Sequence, residues 1–332
     1  MLLEFDADQR LWQKTVRDVV GKQCPPSLVR SVAEDGVDPS PLWKSYLDQG
    51  WTELDDPASA VELAIVFEEL GRATDPTPFL ATMSQFAPLA GDQFDPHESG
   101  TAVYGGVWAH RDADGWVLDG TARRVLDGDR VDRLAVVTDA GVFVVAANQV
   151  SARRTAVFDP VLHVADLSFV EVRVPDTARL AADAERAHHS ALTGMAITMV
   201  GACQRILDLV LEHIRTRHQF GVPIGSFQAV QHKAADMHVA VERARALAYF
   251  AALTIAADDP RRRLAAAMAK ASAGECQSLV FRHGLQLFGA MGFTWENDLQ
   301  FALKRAKAGE HMLGGAAEHR ARIAEEYRAA DF

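Results

Sequence analysis

The sequence predicts an α+β multidomain protein: an N-terminal helical domain over residues 1–92, a small central antiparallel β domain over 93–180, and a C-terminal four-helix bundle over 181–332. Three observations carry this expectation. Apolar residues recur at three- and four-residue spacing up to about residue 92. The period shortens toward two from about 100 to 178. It returns to the helical spacing, in an Ala-rich background, from about 185 onward.

In the first region Leu11, Val16, Val19 and Val20 mark an amphipathic stretch that Pro25 and Pro26 end. Leu42, Trp43, Tyr46 and Leu47 mark a second helix. Val61, Ala64, Ile65, Phe67, Glu68 and Leu70 mark a third, with Gly71 as its stop and Pro76 and Pro78 as breakers. The central region offers β-prone runs at Thr101–Tyr104, Trp116–Leu118, Leu134–Thr138, Val142–Ala146 and Leu167–Val174, separated by turn clusters such as Asp112–Gly115 and Asp127–Asp129. In the last region Met199, Cys203, Ile206, Val210 and Ile214 form one core stripe, and Val230, Ala234, Met237, Val241, Ala244 and Ala248 a second. Met195–Ala202 carries no charge on any side and predicts a helix buried all round. Leu264–Phe288 predicts a third long helix, ended by the glycines that follow.

The chain carries 45 acidic against 34 basic side chains, a formal charge of −11, the wrong sign for tracking nucleic acid or an anionic membrane. Cys24, Cys203 and Cys276, odd in number and far apart, form neither a disulfide framework nor a zinc spacing and fit a reducing compartment. The acidic start and the lack of any run of 18 apolar residues make the expected location cytoplasmic. Among the twelve histidines, neither His188-His189 nor His232 with His238 gives an i, i+3 or i+4 pair with a carboxylate third ligand, so no metal site is expected. Asp127–Asp132 lacks the last glutamate of a calcium loop and reads as a solvated turn. Phosphate-binding glycine motifs of nucleotide folds are absent.

The densest candidate for chemistry is Arg215–Gln231. Its cations gather at a helix end, Gly221, Pro223 and Gly225 force a turn, and Phe220 and Phe227 offer faces for a planar ring. An arginine fork suits a pyrophosphate; the same cations would equally offset a helix dipole. Gln286–Phe293 is the second candidate, where small residues allow backbone to approach a ligand or simply stop a helix.

These residues resemble the acyl-CoA dehydrogenases along nearly the whole chain. Arg217-His-Gln-Phe-Gly221, Pro223-Ile224, Phe227-Gln-Ala-Val-Gln231 and Ala235-Asp-Met237 are similar to that family's most characteristic stretch. Gln286–Phe293 resembles its QxxGGxGF segment with Ala290 in place of the second glycine, followed by Thr294-Trp-Glu296. Glu68–Ala73 with Pro76 and Pro78-Phe-Leu80 resembles the N-terminal domain, and Asp114–Gly120 and Val172–Pro175 the β domain. The resemblance implies FAD shared at a subunit interface, an acyl-CoA substrate and an electron-transfer flavoprotein as oxidant. It implies that Arg217 pairs with the FAD pyrophosphate, that Phe220 contacts the cofactor beside it, that Gln228 bonds the adenosine side, and that Gln286 with the backbone of Gly289 and Ala290 completes the reach.

Two departures set the chain apart. Leu313, followed by Gly314-Gly315, stands where the family carries its catalytic glutamate, and Ala191 stands at the alternative base position early in the bundle's first helix. Neither side chain accepts a proton. Glu310 and Glu318 lie nearby and read as exposed helix-flanking acids, Glu310 being the weak candidate for a relocated base. The family's TEPxxGSD segment, which lines flavin and acyl pocket, is also missing between His110 and Asp114. The pattern resembles the degenerate, non-catalytic subunit of an actinobacterial α2β2 dehydrogenase, acting with a homologous catalytic subunit on a bulky acyl-CoA such as a steroid-derived one. The alternatives are a homomeric dehydrogenase with a relocated base and a non-catalytic scaffold on the same fold.

Overall fold

A computed structural model describes residues 4–329; the first three residues of the acidic start lie outside them. In chain order come α1 (Ala7–Gln23), α2 (Pro26–Asp35), α3 (Ser40–Asp48), α4 (Ala60–Ala73), and the short α5 (Phe79–Ala81) and α6 (Ala87–Ala90) flanking a π-turn at Thr82–Phe86. Strands follow as β1 (Gly100–Val103), β2 (Val107–Asp112), β3 (Gly115–Leu126), β4 (Arg133–Thr138), β5 (Gly141–Ala146), β6 (Ser151–Arg154), β7 (Val164–Val174) and β8 (Arg179–Leu180). The rest comprises α7 (Ala184–Thr216), the hairpin strands β9 (His218–Gln219) and β10 (Val222–Pro223), α8 (Gln228–Ala256), α9 (Arg262–Phe288), α10 (Leu299–His311) and α11 (Ala316–Ala329). The chain forms two compact units. One holds the residues up to Val37, Pro57–Asp75 and those from Leu192 on; the other holds Asp38–Asp56 and Pro76–Ala191.

In the first unit α1 opens with a capping box, the Asp6 side chain accepting the Gln9 N–H while the Gln9 side chain returns to the Asp6 backbone. Val16 and Val20 are buried as expected, but Leu11 is exposed: Trp12 turns inward instead, its indole N–H donating to the Glu62 carbonyl at 3.1 Å. The stripes predicted for α7 and α8 are buried from Met199 to Ile214 and from Ala234 to Ala248, and α9 adds Cys276 and Val280 to their core. Every residue from Ala191 to Cys203 is buried. α7 is the one described helix long and apolar enough to cross a membrane, and 72% of its apolar window is buried in the protein, the pattern of a core helix.

Gly71 does not stop α4, which runs on to Ala73 and ends at the left-handed Thr74. Its lack of a side chain serves packing. A Cβ at Gly71 would lie 2.8 Å from Thr198 Cα, and nearer still to the Thr198 carbonyl oxygen. A Cβ at Gly201 would lie 2.9 Å from Arg72 N and nearer still to the Glu68 carbonyl oxygen. The two helices thus meet backbone to backbone through paired glycines. Beside the crossing, buried Glu68 accepts from Arg245 and from the Tyr249 hydroxyl, each at 2.9 Å.

In the second unit β2-β3-β7-β6 form an antiparallel sheet and β1-β4-β5-β8 a second, in which β1 departs from the expectation by pairing parallel with β4. Strict alternation explains the second sheet's continuous apolar runs. Leu134, Val136, Phe143 and Val145 share a core with Leu118, Leu167 and Phe169 of the first sheet, while Ala135, Val142 and Val144 pack with Phe86, Leu89 and Ala187. The Asp127–Asp132 turn is tied in rather than solvated. Buried Asp127 accepts from Arg130 at 2.7 Å, Asp129 meets His163 at 2.9 Å, and Asp132 accepts from the Ser99 hydroxyl at 2.7 Å.

Candidate functional site

α7 ends at Thr216, and the Arg217 N–H still reaches the His213 carbonyl at 2.9 Å before the chain turns out. Gln219 pairs with Val222 and His218 with Pro223 across a two-residue turn of Phe220 and Gly221. Both turn residues have positive φ, 55° and 82°, a conformation that costs glycine nothing but strains a phenylalanine. The turn holds the Phe220 ring 93% exposed, edge-on to Phe227 with centroids 6.1 Å apart. The returning strand is pinned to the helix end, since Ile224 N–H donates to the Arg217 carbonyl and a Cβ at Gly225 would lie 2.9 Å from the Ile214 carbonyl oxygen. Gln228, exposed, is the first residue of α8.

The second predicted segment lies at the same end of the bundle. The ring of His213, one turn before Arg217, stacks on Phe288 at 4.4 Å and 11°. Lys233 of α8 donates to the Gln286 side chain of α9. The structure therefore gathers Arg217, Phe220 and Gln228 near Gln286, Gly289 and Ala290. Burial, joined by the Arg217 charge, holds His213 below the usual imidazole range, so at neutral pH the ring is uncharged beside the Arg217 cation. Among the described residues the Arg217 guanidinium makes no hydrogen bond or ion pair. Gly289, at φ 60°, has no atom within 4 Å of where a Cβ would be. The site thus presents an unpaired arginine fork, an exposed ring and an open backbone turn, a donor set for a phosphorylated ligand with a planar part.

The α10–α11 loop is built differently. Leu313 and Gly314 both have positive φ, 56° and 89°. The loop is fastened from three sides. Buried Lys270 of α9 donates to the Gly314 carbonyl at 2.7 Å, buried His319 Nε2 donates to the Leu313 carbonyl at 2.8 Å, and the Ala316 N–H donates to Glu310 at 2.9 Å. Glu310 is not the exposed acid its sequence context implies. Its second carboxylate oxygen is buried without a hydrogen-bond partner, facing Gly274 of α9, and its first caps the start of α11. Glu318 is exposed. Ala191 is fully buried.

Sequence reasoning missed Lys270, His319, His213 and Lys233. Lys270 sits in an Ala-rich run, and only the loop carbonyls that it serves reveal its role. Burial lowers Lys270 to about 8, against the opposing pull of Glu310 and Glu318. Between pH 8 and the usual lysine value of 10.5 the unfolded chain holds a proton that the folded chain has released, so this group makes stability rise with pH across that window. Relative to Lys270→Met, the protein should gain about 3 kcal/mol from pH 8 to 10.5 in urea unfolding. A difference between the two that is flat with pH would contradict this.

The family model for the C-terminal domain of acyl-CoA dehydrogenases matches residues 182–327. The chain is 32% identical to the acyl-CoA dehydrogenase IpdE2 of Mycobacterium tuberculosis, over 92% of this chain and 93% of that protein. Its fold is similar to that of a chain in the crystal structure of the ChsE4-ChsE5 complex from Mycobacterium tuberculosis, at TM-score 0.88 and 23% identity over 100% of this chain and 100% of that one. It is also similar to a variant of the Tcur3481-Tcur3483 steroid ACAD, at TM-score 0.86 and 25% identity over 97% of this chain and 98% of that one. Together with the arginine hairpin and the glycine turn, these likenesses place the chain in the acyl-CoA dehydrogenase family, FAD-dependent oxidoreductases that act on acyl-CoA thioesters.

Proposed function

We propose that this chain is the non-catalytic subunit of a heteromeric acyl-CoA dehydrogenase, lending its hairpin and glycine turn to FAD held by a homologous catalytic partner. The observation that carries this reading is the contrast between the two loops. The Arg217 hairpin keeps its unpaired cation and open backbone, while the loop where a base belongs holds Leu313, locked by three hydrogen bonds.

The residues fit the group. A diphosphate needs a forked cation and a backbone that it can approach closely, which Arg217 and the open space at the Gly289 turn supply. Phe220 would contact the cofactor beside the diphosphate, Gln228 the adenosine side, and Gln286, oriented by Lys233, would close the cradle. When bound, FAD supplies the hydride acceptor for α,β-dehydrogenation of the thioester. Leu313 and Ala191 take no proton, and Glu310 has one oxygen capping α11 and the other buried against Gly274, away from solvent, so proton abstraction falls to the partner. The known neighbours named as two-chain assemblies, one of them a steroid enzyme, support both the heteromer and a bulky steroid-derived acyl group. An electron-transfer flavoprotein would reoxidise the flavin, and the expected setting is cytoplasmic.

The test is the flavin-to-chain ratio of the complex purified after co-expression with a homologous catalytic subunit. The expected ratio is about one half, whereas a symmetric homo-oligomer of complete subunits would hold one FAD per chain. FAD bound at one per chain, with turnover by this chain alone, would overturn the proposal.

A further inference from the structure

Within the first unit a cavity of about 290 Å³ is lined by α1, the start of α2, the end of α4, the middle of α7 and the start of α10. That volume is near the lower end of ligand pockets, roughly 300 Å³. Its apolar wall is made by Val20, Val29, Phe301 and Ala302, with the Cys24 thiol, whose pKa burial pushes up so that it stays neutral. Its polar wall carries Arg17, Arg72 and Arg205 beside Glu69 and Asp298.

The charges of that wall can be assigned one by one. Glu69 is held by Arg17 through both oxygens, at 2.7 and 3.1 Å. Asp298 is held by Arg30 at 2.6 Å. Arg72 is paired with Asp208 of α7. Every carboxylate on the wall has its own arginine and Arg72 has its own carboxylate, which leaves Arg205. Arg205 is half-buried, and among the described residues its guanidinium makes no hydrogen bond or ion pair. A forked donor that lines a concave, partly apolar space suits a planar acceptor. The cavity therefore has one uncompensated positive charge and a hydrophobic wall.

We propose that this cavity binds a small amphipathic carboxylate, its head on the Arg205 fork and its tail along Val20, Val29 and Phe301. The site is separate from the hairpin and does not depend on the cofactor reading. The guanidinium distinguishes the head, because a carboxylate accepts two parallel N–H bonds and an amide of the same length does not. The apolar wall distinguishes the tail.

Calorimetric titration of the full-length chain with pentanoate, acetate and pentanamide tests it. Pentanoate should bind at least tenfold more tightly than either of the others. Arg205→Gln should weaken pentanoate at least tenfold, and Gly21→Leu should do the same by filling the cavity mouth, since nothing lies within 4 Å of a Cβ at Gly21. Neither variant should lower the urea midpoint of the unliganded protein, and Arg217→Ala should leave pentanoate binding unchanged. Absence of saturable binding, equal affinity for acetate and pentanoate, or unaltered affinity in Arg205→Gln would each overturn the proposal.

Discussion

Gly201→Val is expected to destabilise the protein severely. The added side chain would be driven into the Glu68 carbonyl and the Arg72 amide, both backbone groups of a neighbouring helix that cannot rotate aside. Separating α4 from α7 would open the Gly71–Thr198 contact and strain the buried Glu68 interactions with Arg245 and Tyr249. Overpacking of a well-filled core costs about 1–3 kcal/mol where side chains can adjust. Here they cannot, so about 3 kcal/mol or more is expected, a large share of the 5–15 kcal/mol that holds a typical domain together. Gly21→Ala is the matched control. Gly21 is also helical but has open space around it, so the change should stabilise by up to about 1 kcal/mol through helix propensity. Urea midpoints of the two variants on either side of the parent would support the crossing as described. Equal midpoints would show that α4 and α7 can move apart at no cost.

Arg217→Ala should strip FAD from the assembled complex while leaving this chain folded. The side chain is exposed and makes no internal hydrogen bond or ion pair among the described residues, so its loss removes no packing. A bidentate charge-assisted contact with a diphosphate is worth about 3 kcal/mol, which corresponds to roughly a hundredfold weaker retention. Arg217→Lys keeps the charge but not the fork and should fall between the two. The measurement is flavin absorbance retained by the complex after equilibrium dialysis, with the urea midpoint as the folding control. Full retention in Arg217→Ala would remove this arginine from the cofactor contact.

Much of the fold was legible because its periods are long and uninterrupted. The stripe from Met199 to Ile214 and the alternation in β4 and β5 are set by burial that any close packing must satisfy. The boundaries that failed share one cause, which is that glycine and charge have more than one use. Gly71 reads as a stop, yet its missing side chain is what lets another helix approach. Lys270 prompts no reading in the sequence, because the carbonyls it serves belong to a loop distant in sequence. Strands β2 and β6 escaped because Val107–Asp112 and Ser151–Arg154 are edge strands, too polar to show an apolar period. In the site, the hairpin segments were visible as local motifs. The Glu310 cap and the Arg205 charge were not, since each is defined by partners that only the tertiary fold brings near.

The first unit is discontinuous in sequence, and this orders its assembly during synthesis. α1 and α4 are made early, but the helix surface that receives Gly71 and Glu68 lies at Thr198 and Gly201, more than a hundred residues later. The second unit's residues 76–191 emerge as one run and can begin pairing their strands at once. Until α7 leaves the ribosome, the face of α4 that receives it has no permanent cover. The nascent chain is therefore most exposed to premature association, and most in need of a chaperone, before the glycine crossing can close.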